Sequence, residues 1–179
     1  MKILVTGAKG FVGKNLVSAL YNIKEGKDRT RADLNIEEVF EFDIDTDDGL
    51  LNKYCKEADF VFNLAGINRP QNTEEFMEGN FGFGKKLLSL LKENNNTCPV
   101  MLSSSIQAEL DNPYGRSKKA GEDLVFEYGK ETGTKVLVYR LPNLFGKWCR
   151  PNYNSVIATF CHNIANDKPI TVNDPSVVL

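Results

Sequence analysis

The feature that most constrains the fold is a glycine-rich loop that directly follows the first apolar run. TGAKGFVG at residues 6–13 has three glycines at three-residue spacing, and the apolar run KILVT precedes it. Residues 11–23 then place apolar side chains at helical spacing. A strand, a glycine turn and a helix in this order predict the start of a parallel βαβ unit that binds a dinucleotide. The alternative is a tight turn without a ligand.

Each glycine has its own role in such a loop. Gly7 allows the sharp turn, Gly10 lets the backbone approach a pyrophosphate, and Gly13 permits close packing of helix against strand. The pyrophosphate would lie at the helix N-terminus, where free N–H groups favour an anion. The predicted cofactor-binding residues of this loop are Gly7, Lys9, Gly10, Phe11, Val12 and Gly13.

Strand and helix patterns alternate along the rest of the chain. Further strands are predicted at 38–43, 58–66, 99–105, 135–141 and from 169 onward, and helices at 48–57, 73–92, 112–133 and 154–165. This alternation predicts an α/β fold, a Rossmann-like doubly wound parallel sheet in a three-layer α/β/α arrangement. With 179 residues, 41% of them hydrophobic, the chain fits one globular domain over 1–179.

Composition argues against several partners. A net charge of −2 gives no reason to expect nucleic acid or an anionic membrane, and no apolar run approaches the length of a membrane span. The four cysteines show no metal-site or disulfide-framework spacing, and there is one histidine. No metal site is therefore expected, and the thiols indicate a reducing cytoplasm.

Two predicted strand ends carry further cofactor candidates. Leu64, Ala65 and Gly66 end one strand with small residues that let a cofactor lie close, or they form a simple packing turn. Asp43 ends another, where a carboxylate accepts hydrogen bonds from the adenosine ribose and favours NAD(H) over NADP(H). It could equally be a solvated loop residue. Basic residues that could meet a 2′-phosphate instead are Lys9, Arg29 and Arg31.

A serine run and a tyrosine–lysine pair supply candidate proton-transfer chemistry. Tyr114 and Lys118 lie one turn apart on the same face of the helix that Asn112 caps. A nearby ammonium lowers the pKa of a tyrosine, which is ordinarily about 10. SSS at 103–105 ends a strand, so Ser105, or alternatively Ser104, could hold a substrate oxygen while Tyr114 moves the proton. A surface pair at a helix start is the competing interpretation.

TGAKGFVG, LAG, SSS and YGRSK, in this order on one α/β chain, resemble the extended short-chain dehydrogenase/reductase family. The resemblance implies Ser105, Tyr114 and Lys118 as the catalytic trio, with Tyr114 and Lys118 also contacting the cofactor. RLPN at 140–143 is similar to the segment that presents an asparagine to a nucleotide-sugar. It implies Asn143 as a substrate contact and Pro142 as a cofactor contact.

Longer strings are similar to one subgroup of capsular-polysaccharide enzymes. NLAGINRP, LSSSIQAELDNPYGRSK and YRLPNLFGKWCRPNYNSVIATF carry this resemblance across essentially the whole chain. The subgroup reduces a 4-keto UDP-amino-sugar with NADPH on the route to UDP-N-acetyl-L-fucosamine. The resemblance implies a UDP-sugar substrate and a homodimer. Its implied substrate contacts are Arg69, Ser105, Asn143, Lys147 and Arg150, of which the arginines suit phosphate oxygens.

Two departures from the subgroup and two other functions stay open. Asp43 stands where NADPH use predicts a neutral or basic residue, so NAD(H) is the alternative coenzyme. Subgroup members continue into the rest of the reductase domain and a zinc-dependent cupin domain, so this chain is expected to be C-terminally incomplete. A nucleotide-sugar 4-epimerase or 4,6-dehydratase with tightly bound NAD shares the trio, although SSSIQAE offers only Glu109 as an added acid. A non-catalytic NAD(P)-binding module is the third hypothesis.

Overall fold

Five apolar runs form one sheet. The computed structural model describes residues 1–172, 174 and 176. The strands are β1 (Lys2–Thr6), β2 (Glu38–Phe42), β3 (Phe60–Asn63), β4 (Val100–Ser105) and β5 (Val136–Leu141). Their order is β2-β1-β3-β4-β5, and β1 pairs in parallel with both β2 and β3. From β1 the chain adds β2 on one side and then β3 on the other, so the strand order reverses between β1 and β3. Ligands bind at such a switch point in open α/β sheets.

Both faces of the sheet are covered by helices, because β1 is apolar on both sides. Ile3 and Val5 pack in one cluster with Val17 and Leu20 of the helix at 11–24. Leu4 belongs to the larger cluster on the opposite face, beneath the helices at 48–57, 83–93 and 113–132. The helices are α1 (Phe11–Lys24), α2 (Asp48–Glu57), α3 (Glu74–Met77), α4 (Phe83–Glu93), α5 (Pro113–Thr132) and α6 (Val156–Ala165). The predicted Rossmann-like α/β class is confirmed.

The ends of α5 follow from local chemistry. The Asn112 side chain accepts a hydrogen bond from Gly115 N at 2.7 Å, and Pro113 occupies the first turn, where its missing N–H costs nothing. Gly133 ends the helix with a φ of 71°, a left-handed conformation that glycine adopts readily. The predicted cap and stop are both confirmed.

The helix predicted from Thr73 to Lys92 is interrupted. Thr73 makes no capping hydrogen bond; the side chain of Asn72 accepts from Glu75 N at 3.2 Å instead. Between α3 and α4 lies a π-helical turn, Glu78–Gly82, which contains the buried Asn80. Single π-helical turns recur at functional sites, and here the turn accompanies an asparagine that bonds outside its own helix.

Residues Leu141–Leu179 form a second compact unit, and Met1–Arg140 form the first. In the second unit, Ser155 caps α6 by accepting a hydrogen bond from Ala158 N at 3.3 Å. The strand predicted from residue 169 is not formed at 169–172, because these residues pair with no neighbouring strand among those described. Its continuation, at 173, 175 and 177–179, lies outside the described residues.

Candidate active site

The glycine loop packs directly against the turn that follows β3. Gly7 has a φ of 67°, and a Cβ there would lie 2.8 Å from the backbone nitrogen of Ala65. A Cβ on Gly13 would lie 2.1 Å from the carbonyl oxygen of Gly7. Neither position has room for a side chain. Gly10 is the N-cap residue of α1, so no side chain caps the first turn, and its N–H groups suit an anion.

Two buried polar side chains fix the loop and the turn together. Thr6 Oγ1 donates to Asn63 Oδ1 at 2.8 Å and accepts a hydrogen bond from Ala65 N at 3.3 Å. Thr6 is fully buried and Asn63 nearly so. The structure thus brings the predicted loop residues beside Leu64, Ala65 and Gly66. The resulting backbone cradle fits the pyrophosphate of a dinucleotide.

Asp43 lies directly after β2, and its carboxylate is engaged by the backbone of the glycine loop. Its two oxygens accept hydrogen bonds from Lys9 N at 2.7 Å and from Ile44 N at 2.8 Å. The Lys9 ammonium pairs with Asp45, and this hydrogen bond raises the pKa of Lys9. Asp43 therefore supports the loop itself, and a basic side chain lies in the same loop.

Tyr114 and Lys118 lie at the start of α5, where Tyr114 is half-buried and Lys118 is buried. The Tyr114 hydroxyl donates to Asn68 Oδ1 at 3.2 Å, and the Phe76 ring centre lies 5.5 Å from that of Tyr114. Lys118 is 9% exposed, and its ammonium donates to the carbonyl of Ser103 at 3.3 Å. Burial lowers the pKa of Lys118 to about 8.

The pKa of Tyr114 differs from the sequence expectation. Burial of the phenol raises it, and a hydrogen bond with Ser105 lowers it in part. The Lys118 ammonium lies 5.7 Å from the ring centre rather than on the hydroxyl. The predicted net lowering by Lys118 is thus not found here; the phenol is held in its protonated form, as a proton donor requires.

The structure distinguishes the two candidate serines. Successive side chains of a strand point to opposite faces. The buried Ser104 hydroxyl donates to Glu122 Oε1 at 2.5 Å, whereas Ser105 is the serine that lowers the pKa of Tyr114. Ser105 is therefore the better candidate to act with Tyr114 and Lys118.

Asn80 connects the loop after β3 to α5, and sequence reasoning missed it. Its amide accepts from Ile67 N at 3.0 Å and donates to Ile67 O at 3.1 Å and to Ser117 Oγ at 3.0 Å. A Cβ on Gly66 would lie 2.6 Å from Asn80 Oδ1 and 3.2 Å from Lys118 Nζ. The sequence did contain one indication of this role, because Asn80 is a lone polar residue on an otherwise apolar helix face.

The remaining predicted residues are exposed. Arg69 is exposed, next to the Asn68 that contacts Tyr114. The other four belong to the second unit, where all are exposed: Pro142, Asn143, Lys147 and Arg150. The Lys147 ammonium lies 4.0 Å from the Trp148 ring centre, and the Arg150 guanidinium lies 5.5 Å from that of Tyr153.

The described part of the chain shows neither a metal-binding cluster nor a membrane-spanning helix. No three His, Cys, Asp or Glu side chains there gather so as to hold a metal ion. No helix among those residues is long and apolar enough to cross a membrane.

A glycine-loop cradle for a dinucleotide at the carboxyl edge of a parallel sheet, with a serine, a tyrosine and a lysine nearby, defines a Rossmann-like nucleotide-binding fold. The profile described as NAD dependent epimerase/dehydratase family matches residues 3–176, and the chain belongs to this family. Membership in the extended short-chain dehydrogenase/reductase family is thereby confirmed, and with it the class of NAD(P)-dependent enzymes.

Three individual proteins show which members of this family the chain is similar to. The chain is similar to UDP-2-acetamido-2,6-beta-L-arabino-hexul-4-ose reductase of Pseudomonas aeruginosa, with 46% identity over 98% of this chain and 44% of the relative. Against UDP-glucuronate 4-epimerase 1 of Arabidopsis thaliana the identity is 27%, over 96% of this chain and 48% of the relative. The crystal structure of the capsular polysaccharide assembling protein CapF from Staphylococcus aureus matches with a TM-score of 0.81 and 47% identity, covering 99% of this chain and 45% of that one. The chain thus spans less than half of each of these proteins.

Proposed function

We propose that this chain is the nucleotide-binding part of an NAD(P)H-dependent reductase. The substrate is a 4-keto UDP-2-acetamido-2,6-dideoxy-hexose, and the product is a precursor of a capsular or surface polysaccharide. The observation that carries the proposal is the cluster of Ser105, Tyr114 and Lys118, in which the buried Lys118 ammonium lies 5.7 Å from the Tyr114 ring centre and Ser105 lowers the pKa of the phenol. The 46% identity to a reductase of such a sugar supports the substrate class.

Each member of the cluster has a distinct part in the reaction. When bound, the reduced nicotinamide supplies the hydride that reaches the carbonyl carbon. Tyr114 donates its proton to the carbonyl oxygen, and the Ser105 hydroxyl orients that oxygen. Lys118 stabilises the phenolate that remains and holds the cofactor ribose. Pyrophosphate binding falls to the N–H groups of the glycine loop and the first turn of α1.

The coenzyme we propose is NADP(H). Asp43 already accepts hydrogen bonds from Lys9 N and Ile44 N, which leaves its carboxylate less available to a ribose hydroxyl. The Lys9 ammonium lies in the same loop, exposed and paired with Asp45, and is the cation that we assign to the 2′-phosphate. NAD(H) is the competing choice if Asp43 contacts the ribose.

The substrate contacts and the assembly are proposed from the family resemblance. Arg69, Lys147 and Arg150 are assigned to the diphosphate or sugar, and Asn143 to the sugar. Lys147 and Arg150 each lie over an aromatic ring, a contact that favours a cation at both positions. We assign residues 1–179 to one nucleotide-binding domain, incomplete at its C-terminal side, of a cytoplasmic homodimer.

Tyr114→Phe in the full-length gene product tests the assignment. The variant keeps the ring that packs on Phe76 but has no proton to donate. We expect kcat to fall by about 10²- to 10⁴-fold, with NADPH affinity by calorimetry unchanged. Unchanged turnover would rule out the role of Tyr114.

A 4-epimerase is the second candidate, because the family and one relative carry that activity in their names. Such an enzyme recycles its nicotinamide. Net oxidation of NADPH with a 4-keto UDP-sugar supports the reductase, whereas copurified NAD and no net consumption would support the epimerase.

A further inference from the structure

Next to the proposed site lies a buried carboxylate for which the proposed reaction has no use. Glu122 of α5 is 1% exposed. Tyr114, Lys118 and Glu122 follow each other at four-residue spacing and so lie along one face of the helix. Burying an ionised carboxylate is costly unless it is paired and hydrogen-bonded, so its partners explain why it is there.

The main partner of Glu122 is Arg140 of β5. Arg140 Nε donates to one carboxylate oxygen at 2.9 Å, and Nη2 donates to the other at 2.7 Å. This two-point pairing is the strong geometry for arginine and a carboxylate. The bonds from Arg140, and then the bond from Ser104, hold the pKa of Glu122 below its ordinary value despite burial.

The same guanidinium has a third arm that reaches the segment after Ser105. Arg140 Nη1 donates to Glu109 Oε1 at 2.6 Å. Glu109 ends the 3-10 turn Ile106–Glu109, which begins directly after Ser105. Ser105 also caps this turn, since its hydroxyl accepts a hydrogen bond from Gln107 N at 3.2 Å. One side chain thus links α5 to the turn that carries Ser105.

Three consecutive residues of β4 each contact one residue on the α5 face that carries Tyr114, Lys118 and Glu122. The Ser103 carbonyl accepts from Lys118, Ser104 donates to Glu122, and Ser105 lies close enough to Tyr114 to lower the pKa of its phenol. The first contact is partly buried and the second is buried. The third lies at the end of the strand, where the chain turns away. Its geometry depends on where the 3-10 turn sits.

We propose that Arg140 is a positioning residue that sets the place of Ser105 relative to Tyr114, by holding Glu122 with one edge of its guanidinium and Glu109 with its remaining nitrogen. The inference rests on the proposed function, because Ser105 and Tyr114 must act on one substrate oxygen. Misplacing such groups by a small distance lowers the rate without weakening the binding of the cofactor.

Glu109→Ala in the full-length enzyme is the first test, because it removes only the arm that reaches the turn. Glu122 stays paired with Arg140, and the lost ion pair is exposed on the Glu109 side, so the melting temperature should not change. We expect kcat to fall roughly tenfold, with KM for NADPH unchanged. Arg116→Gln is the matched control: it removes another exposed ion pair near the site, to Asp111, and should leave kcat unchanged.

A double-mutant cycle shows whether the effect passes through Ser105. In a Ser105→Ala background, Glu109→Ala should have little further effect on kcat, because the group it positions is gone. The full loss in that background would overturn the proposal.

Arg140→Lys provides a second variant that keeps a positive charge beside Glu122. A single ammonium cannot hold both carboxylates in the geometry of the guanidinium fork, so kcat should fall as in Glu109→Ala. Wild-type kcat in both Glu109→Ala and Arg140→Lys overturns the inference. If Tyr114→Phe is inactive in the same experiment, the proposed function survives that failure.

Discussion

The glycine loop and the Ser105–Tyr114–Lys118 cluster lie in one unit but are built on opposite principles. The loop is shaped by side chains that are missing: Gly7 and Gly13 leave space that backbone atoms of the same loop and the neighbouring turn occupy. The cluster is shaped by side-chain contacts with distant segments, such as the hydrogen bond from Tyr114 to Asn68, which lies 46 residues away. A loop of the first kind responds to added atoms, and a cluster of the second kind responds to lost ones.

Gly13→Ala should have the largest effect. Its Cβ would lie 2.1 Å from the Gly7 carbonyl oxygen and 2.8 Å from two atoms of Ala8, all of them backbone. Since backbone cannot move aside as a side chain can, we expect a loss of about 3 kcal/mol in unfolding free energy and no measurable NADPH binding by calorimetry.

Gly84→Ala is the control for that substitution. Gly84 is a helical glycine of α4, and its added Cβ would meet only side-chain atoms, at 3.7 Å and 3.9 Å. Alanine at a helical position is favoured over glycine by up to about 1 kcal/mol, so this variant should be neutral or more stable. If both glycine variants bind cofactor normally, the backbone account of the cradle is wrong.

Lys118→Met should separate activity from stability. We expect kcat to fall by about 10²-fold, because the ammonium beside Tyr114 is lost. The fold should gain stability at pH 7, because the wild type buries a charge there. Burial lowers the pKa of Lys118 from 10.5 to about 8, and at pH 7 this costs the wild type about 3 kcal/mol.

The pH dependence tests the sign of that effect. Between pH 8 and 10.5 the unfolded lysine keeps a proton that the folded lysine has released, so wild-type stability rises relative to the variant. Denaturant unfolding at pH 7 and at pH 10 should show the gap closing. Lys119→Met, an exposed neighbour paired with Asp123, should change neither kcat nor stability appreciably. A gap that does not depend on pH would contradict the buried-charge account.

Local chemistry explains which parts of the fold could be predicted. The helix predicted at 48–57 is α2, Asp48–Glu57, and Asn112 and Gly133 bound α5 as expected. The glycine loop could be predicted as well, because positions without room for a Cβ must be glycine and their spacing is visible in the sequence. Such features depend on a few consecutive positions, so sequence alone defines them.

Long-range polar contacts explain what could not be predicted. Ser104 bonds with Glu122, Asn80 with the backbone of Ile67, and Asp43 with Lys9 N, each across at least 13 residues. Glu122 left a trace in the sequence: it lies four residues after Lys118 on the same face. Its meaning depends on Arg140, which only the fold brings there. The strand expected from residue 169 is not formed at 169–172 for the same reason, since a strand needs a neighbouring strand.

Lys9→Ala should have the smallest effect. It tests whether a side chain of the glycine loop, and not only its backbone, contributes to coenzyme binding. Lys9 lies in the backbone-built loop, yet its ammonium acts as a side chain, paired with Asp45 on an exposed surface. If it turns to the 2′-phosphate, its removal should raise KM for NADPH about tenfold, the cost of one exposed charge-assisted contact, and leave KM for NADH unchanged. Lys27→Ala removes an exposed lysine paired with Glu25 and should affect neither coenzyme. Equal changes in both KM values would mean that Lys9 supports the structure of the glycine loop. Asp43 would then be the residue that determines the coenzyme preference.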